Sequence, residues 1–241
     1  MKNMHNPTQT APETASVQRR SFLRTVGAAA VTGGILTACS TADLQVSPNG
    51  ARAAAPGDVI TLPGGDLGIL NYAFVLEQLE ATFYQMVLAN PYSGMTAMEM
   101  QLFQDLRNHE VTHRAFYRTA LGGAGIPDLT FDFSSINFRQ RTDVMEASRM
   151  FAEVGTAAYT GGGKYLTDPQ NLKVAGKIVS LEARHVAIIR EMEYMNQTAF
   201  SGENIVMDGL FIKMEPSEVL PKAQKYILEK IDGRNLPTAV A

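Results

Sequence analysis

The sequence predicts an all-α protein: a four-helix bundle of two antiparallel helical hairpins joined by a long crossover, with a short C-terminal extension. Three observations carry that expectation. Apolar residues recur at helical period in four long segments, and no strand-period hairpin stands out between them. Cap residues, glycine or proline mark where the segments start and stop. A Glu-x-x-His pattern occurs twice, at Glu110–His113 and Glu182–His185, each time in the second helix of a pair.

The first helix is read in "DLGILNYAFVLEQLEATFYQMVLAN", where Leu70, Ala73, Phe74, Glu77, Ala81, Tyr84 and Leu88 share one stripe. Asp66 is placed to cap its start, and Asn90-Pro91 ends it. The second opens at Thr96 with Glu99 three residues on, a capping box, and stops at Gly122-Gly123. So short a link makes these two helices antiparallel neighbours. "GGAGIPDLTFDFSSINFRQ" has no clear period and suits a crossover along or across the bundle. The third helix runs from about Thr142 to Thr160 and ends in Gly161-Gly162-Gly163. The fourth starts at Asp168-Pro169, a cap followed by proline at the first helical position, and continues to about Asn196. These four helices set the bundle at 66–196. The extension, 197–241, begins irregularly and carries a short amphipathic helix over 217–231, expected on the outside.

The remaining bounds come from composition and from the first 65 residues. At 241 residues, 45% hydrophobic and 19% charged, the chain can bury one sizeable core. A net charge of −3, with no Lys/Arg block in the body, argues against nucleic acid as a partner. In "QRRSFLRTVGAAAVTGGILTAC", Arg19, Arg20, Phe22 and Leu23 precede a weakly apolar run from Val26 to Ala38 that is too short to span a bilayer. Residues 1–38 therefore resemble a twin-arginine export signal. Cys39, the only cysteine, follows Leu36-Thr37-Ala38 and resembles the end of a lipobox. Lipidation of Cys39 competes with simple cleavage later, near Ala53-Ala54-Ala55. Residues 39–65, rich in Ala, Gly and Pro, read as a flexible tether. The expected location is the periplasmic or cell-envelope side of a membrane, touched only through an N-terminal lipid.

On a helix, three residues are nearly one turn, so each Glu-x-x-His projects from a single face. Partner acids lie in the first helix of each pair. Glu153 sits among Phe151, Val154 and Ala157, with Glu146 one heptad earlier as a competitor. The other hairpin offers Glu77 or Glu80, Glu77 being favoured by its stripe and spacing. Glu77 precedes Glu110 by 33 residues and Glu153 precedes Glu182 by 29, so the chain reads as a diverged duplication of one hairpin. Four carboxylates and two imidazoles are what a pair of transition-metal ions needs inside a bundle, while four bare acids in one core would repel. His109, next to Glu110, points about 100° away and is not read as a ligand. Tyr84 and Tyr159 read as core residues, Arg184 and Arg190 as surface or supporting charges, and the twelve methionines as core filler.

"LNYAFVLEQLEATFY", "FAEVGTAAYTGG" and "LEARHVAIIR" resemble stretches of the ferritin-like superfamily, in particular the bacterial ferritin-like domain family that includes desiccation-related proteins. The resemblance covers about Leu67 to Met195. It implies a dinuclear centre of two iron or manganese ions on Glu77, Glu110, His113, Glu153, Glu182 and His185, with Glu80 as an alternative or additional ligand. Tyr84 falls where relatives carry an aromatic close to the metals. The implied partners are metal ions and dioxygen or peroxide, in an oxidoreductase or in a non-catalytic stress protein. The tether and extension argue against a storage cage and leave other oligomers open.

Overall fold

Four long helices form the bundle: α1 (Gly65–Ala89), α2 (Ala97–Leu121), α3 (Arg141–Gly162) and α4 (Pro169–Tyr194). They come from a computed structural model that describes residues 54–194, 199–200 and 202–238. The export signal expected over 1–38, and Cys39, lie outside the described residues. α1 packs chiefly on α2 and α3 on α4, which is the pair of hairpins the sequence predicts. No helix among the described residues is long and apolar enough to cross a membrane.

Local chemistry explains most of the helix ends. At α2, the Glu99 amide donates to Thr96 Oγ1 at 3.2 Å and the Thr96 amide donates to Glu99 Oε2 at 2.8 Å, the reciprocal box read from the sequence. At α4, Asp168 Oδ1 accepts from the Gln170 amide at 2.7 Å ahead of Pro169. Asp66 is a correction. The residue preceding α1 is Gly64, with no side-chain cap, and Asp66 lies inside the first turn. Its carboxylate instead accepts from the amides of Thr167 and Asp168 and from Asn171 Nδ2, at 2.8, 3.0 and 3.0 Å. The amides that open α4 have no partner within their own helix, and this carboxylate supplies one.

Every residue from Asn71 to Ala81 is buried, so α1 is covered on all sides. The crossover provides part of that cover. Asn71 Oδ1 accepts from the Ile126 amide at 2.7 Å, and Gln78 Oε1 accepts from the Leu129 amide at 2.9 Å. Two buried amide side chains of α1 thus satisfy loop backbone that would otherwise be costly to bury. Phe133 and Phe138 then pack their rings on Phe83, and Phe133 also on Phe151.

The C-terminal extension differs from expectation. Its helix, α5, is only Pro216–Ala223, not 217–231. Before it, β2 (Val206–Met207) and β3 (Leu210–Phe211) form a hairpin on an Asp208-Gly209 turn in which both residues have positive φ. Asp-Gly between alternating apolar residues is a hairpin signal, and it was there to be read in "VMDGLF". After α5, β4 (Lys230–Asp232) pairs in parallel with β1 (Val59–Thr61), so the last residues of the expected tether form a strand. α5 packs on α3 and α1, covering their seam.

Candidate metal centre

Five of the six sequence-predicted ligands converge between α1, α2 and α4. Glu110 and His113 come from one face of α2, Glu182 and His185 from one face of α4, and Glu77 from α1; all five are buried. His113 Nδ1 lies 3.3 Å from Glu77 Oε2, 3.4 Å from Glu110 Oε2 and 3.0 Å from Glu182 Oε1. His185 Nδ1 lies 2.9 Å from Glu110 Oε1 and 3.2 Å from Glu182 Oε2. Glu110 and Glu182 therefore each turn one oxygen to one imidazole and the other oxygen to the second. Donor atoms of Glu77, Glu110, His113 and Glu182 all lie within 4.8 Å of one another.

Glu153 does not join them. Its carboxylate is held by Arg190 Nη1 and, at 3.2 Å, by Arg149 Nη1. α3 turns Gly155, Thr156 and Tyr159 inward instead, and Glu146 is exposed. Two positions along a helix is a rotation of about 200°, so Glu153 and Gly155 cannot share a face. Glu80 occupies the space that Gly155 leaves: a Cβ at position 155 would meet Glu80 Oε1 at 2.4 Å. One turn along α1 from Glu77, Glu80 is 5% exposed, and its Oε2 is buried without a hydrogen-bond partner.

The electrostatics match that arrangement. Burial pushes Glu77 up to about 8, against the pull of His113. Burial also pushes Glu80 well above the usual carboxylate range, helped by the negative charge of Glu110, Glu182 and Glu77. For Glu110, burial opposes ionisation, but His113 and His185 outweigh it and hold the carboxyl at about 2. Burial likewise opposes the charge on both histidines. Glu110, Glu182 and Glu77 nevertheless raise His113 far above the ordinary imidazole range, and Glu110 and Glu182 raise His185 to about 10.

Three neighbours complete the surroundings. Tyr159 donates its hydroxyl to Glu77 Oε1, and Tyr117 lies 2.9 Å from the Tyr159 oxygen, so the tyrosine that touches one of the clustered carboxylates is on α3. Tyr84 is fully buried beside Phe103, and its hydroxyl has no aligned partner. His109, set aside from the sequence, places Nδ1 2.9 Å from His185 Nε2. Its rotation away from the face of Glu110 is what carries it toward α4, a contact that only the packing of two helices reveals. Residues 109–113 also spell His-Glu-x-x-His, the spacing of a helix-borne zinc peptidase site. Among the described residues His113 groups with Glu77, Glu110 and Glu182, whereas His109 meets His185.

The donor set suits metal ions. Glu77 Oε2, Glu80 Oε2, both oxygens of Glu110, Glu182 Oε1 and His113 Nδ1 are buried and make no aligned hydrogen bond. So many unsaturated donors in one place are costly unless a cation joins them. Four carboxylates also balance the charge of two divalent ions. A family model described as a ferritin-like domain matches residues 65–195, which spans the whole four-helix bundle. No curated protein matches the chain.

Proposed function

This chain belongs to the ferritin-like domain family, and from that premise we propose that its bundle is a dinuclear iron or manganese centre acting on ferrous iron or on peroxide. The observation that carries the proposal is the paired geometry of Glu110 and Glu182, each straddling the two imidazoles. In that reading Glu77, Glu110, His113, Glu182 and His185, with Glu80 beside them, would hold the ions. Bound there, a pair of redox metals supplies electron exchange with dioxygen or peroxide.

The chain's own residues do the rest. Tyr159, backed by Tyr117, restrains Glu77 and keeps a phenolic proton at Glu77 Oε1. Phe103, Leu106 and Tyr84 close the core near Glu110 and keep bulk water out. Export on a twin-arginine route, with Cys39 as a lipid anchor, fits a protein that folds around metal before it leaves the cytoplasm. A role in oxidative or desiccation stress accords with the resemblance of "FAEVGTAAYTGG" and "LEARHVAIIR".

Metal analysis of native protein, followed by ferrous-iron and peroxide turnover, tests the proposal. About two iron or manganese ions per chain are expected, with Glu110→Ala losing both. Glu80→Gln is expected to lower the metal content and Glu153→Gln to leave it unchanged. Absence of iron and manganese from the native protein overturns the reading. Retained metal without turnover reduces it to a structural site.

A further inference from the structure

We propose that His109 is the positioning residue for His185: it accepts the Nε2–H of His185 and so holds Nδ1 of that imidazole toward Glu110 and Glu182, where a bound metal would displace the Nδ1 proton and take the lone pair. The inference rests on the dinuclear reading above and adds to it a residue outside the ligand set. The two rings lie within 6° of parallel with centroids 5.2 Å apart, while their facing nitrogens are 2.9 Å apart. Those three values describe coplanar imidazoles meeting edge to edge through an N–H···N bond, not a face-to-face stack.

The chemistry follows from the imidazole's two nitrogens. A neutral ring has one donor and one acceptor, and a metal takes the acceptor. The proton is then confined to the other nitrogen, which needs a partner to hold it and the ring plane in place. His185 is 4% exposed, so the protein must provide that partner. His109 does so as a neutral acceptor, without adding a fifth carboxylate charge to a centre that already carries four. Because α2 bears both Glu110 and His109, one helix sets the metal-facing and the outward-facing contacts of a ring that belongs to α4.

The experiment is a Co²⁺ titration of the full chain against a competing chelator, followed by visible absorption, for wild type, His109→Leu and His109→Asn. Asparagine can place its amide oxygen where histidine carries Nδ1. His109→Leu is expected to weaken Co²⁺ binding about 10- to 100-fold, with His109→Asn recovering most of the loss. A residue that serves packing alone gives no rescue by Asn. In parallel, ¹⁵N-labelled metal-free protein should show scalar coupling across the His185 Nε2–His109 Nδ1 bond. Co²⁺ affinity unchanged in His109→Leu, no difference between Leu and Asn, or absence of the coupling each overturns the role of His109. Failure of wild type to take up Co²⁺ overturns the dinuclear reading and this role with it.

Discussion

Burying Glu77, Glu110 and His185 together sets how the metal-free protein responds to pH. Burial raises the folded-state pKa of Glu77 from 4.5 to about 8, so between those values the folded chain holds a proton that the unfolded chain has lost. Stability falls as pH rises through that window. His185, raised from 6.5 to about 10 by Glu110 and Glu182 against the cost of burial, extends the fall to higher pH. Glu110 acts in the opposite sense. Its stabilisation is present above 4.5 and is lost as pH falls toward about 2. Metal-free protein should therefore be most stable near about pH 4.5–5 and weaken steadily toward pH 9. Metal replaces those protons, so the decline above pH 5 should flatten or reverse when Mn²⁺ is bound. Unfolding midpoints from pH 4 to 9, in chelator and in Mn²⁺, check both slopes; a flat profile in chelator contradicts the assignment. At this scale the sequence distinguished the two Glu-x-x-His pairs well, because their spacing alone puts each pair on one face. It favoured Glu77 over Glu80 by stripe and spacing, but α1 is buried on every side, and both acids lie in its buried run.

At the scale of elements, α3 is where reading and structure part. Phe151, Val154 and Ala157 made Glu153 look inward-facing, yet its carboxylate belongs to Arg149 and Arg190. The residues that face the centre are Gly155 and Tyr159, and each matters for what it meets on α1. Two glycines of α3 separate packing from binding. At Gly161 a Cβ would stand 1.9 Å from the Met214 carbonyl oxygen, in backbone tied to α3 through the bond from the Met214 amide to the Ala157 carbonyl. Gly161→Ala should cost about 1–3 kcal/mol, read from the urea midpoint, because backbone cannot step aside cheaply. At Gly155 the atom met is the end of the Glu80 side chain, 2.4 Å away. Gly155→Ala should cost little stability and reduce bound metal, and the converse pattern would contradict the place given to Glu80. The helix ends were more legible. Thr96 with Glu99, and Asp168 with Pro169, act through bonds to amides two or three residues away, so local sequence was enough.

For the whole molecule, the bundle is completed by segments that look like connections. The crossover lays Phe133 and Phe138 on α1, and α5 covers the seam of α1 and α3. The expected location adds a prediction of its own: mass spectrometry of mature protein should find a diacylglyceryl-modified Cys39 at the N-terminus, and Cys39→Ser should release the protein from membranes. An unmodified N-terminus near Ala55 would replace the anchor with simple cleavage. By itself the sequence determined the four-helix bundle, its hairpin order and the two helix faces that carry the Glu-x-x-His pairs. Helical period and Glu-x-x-His spacing are properties of one helix at a time. Tertiary structure alone decided that Glu80 stands in the gap at Gly155, that Glu153 pairs with arginines, that Tyr159 restrains Glu77, and that His109 reaches His185. Each of those depends on the rotation of one helix about its axis against a neighbour, a quantity that packing sets and that no single helix encodes.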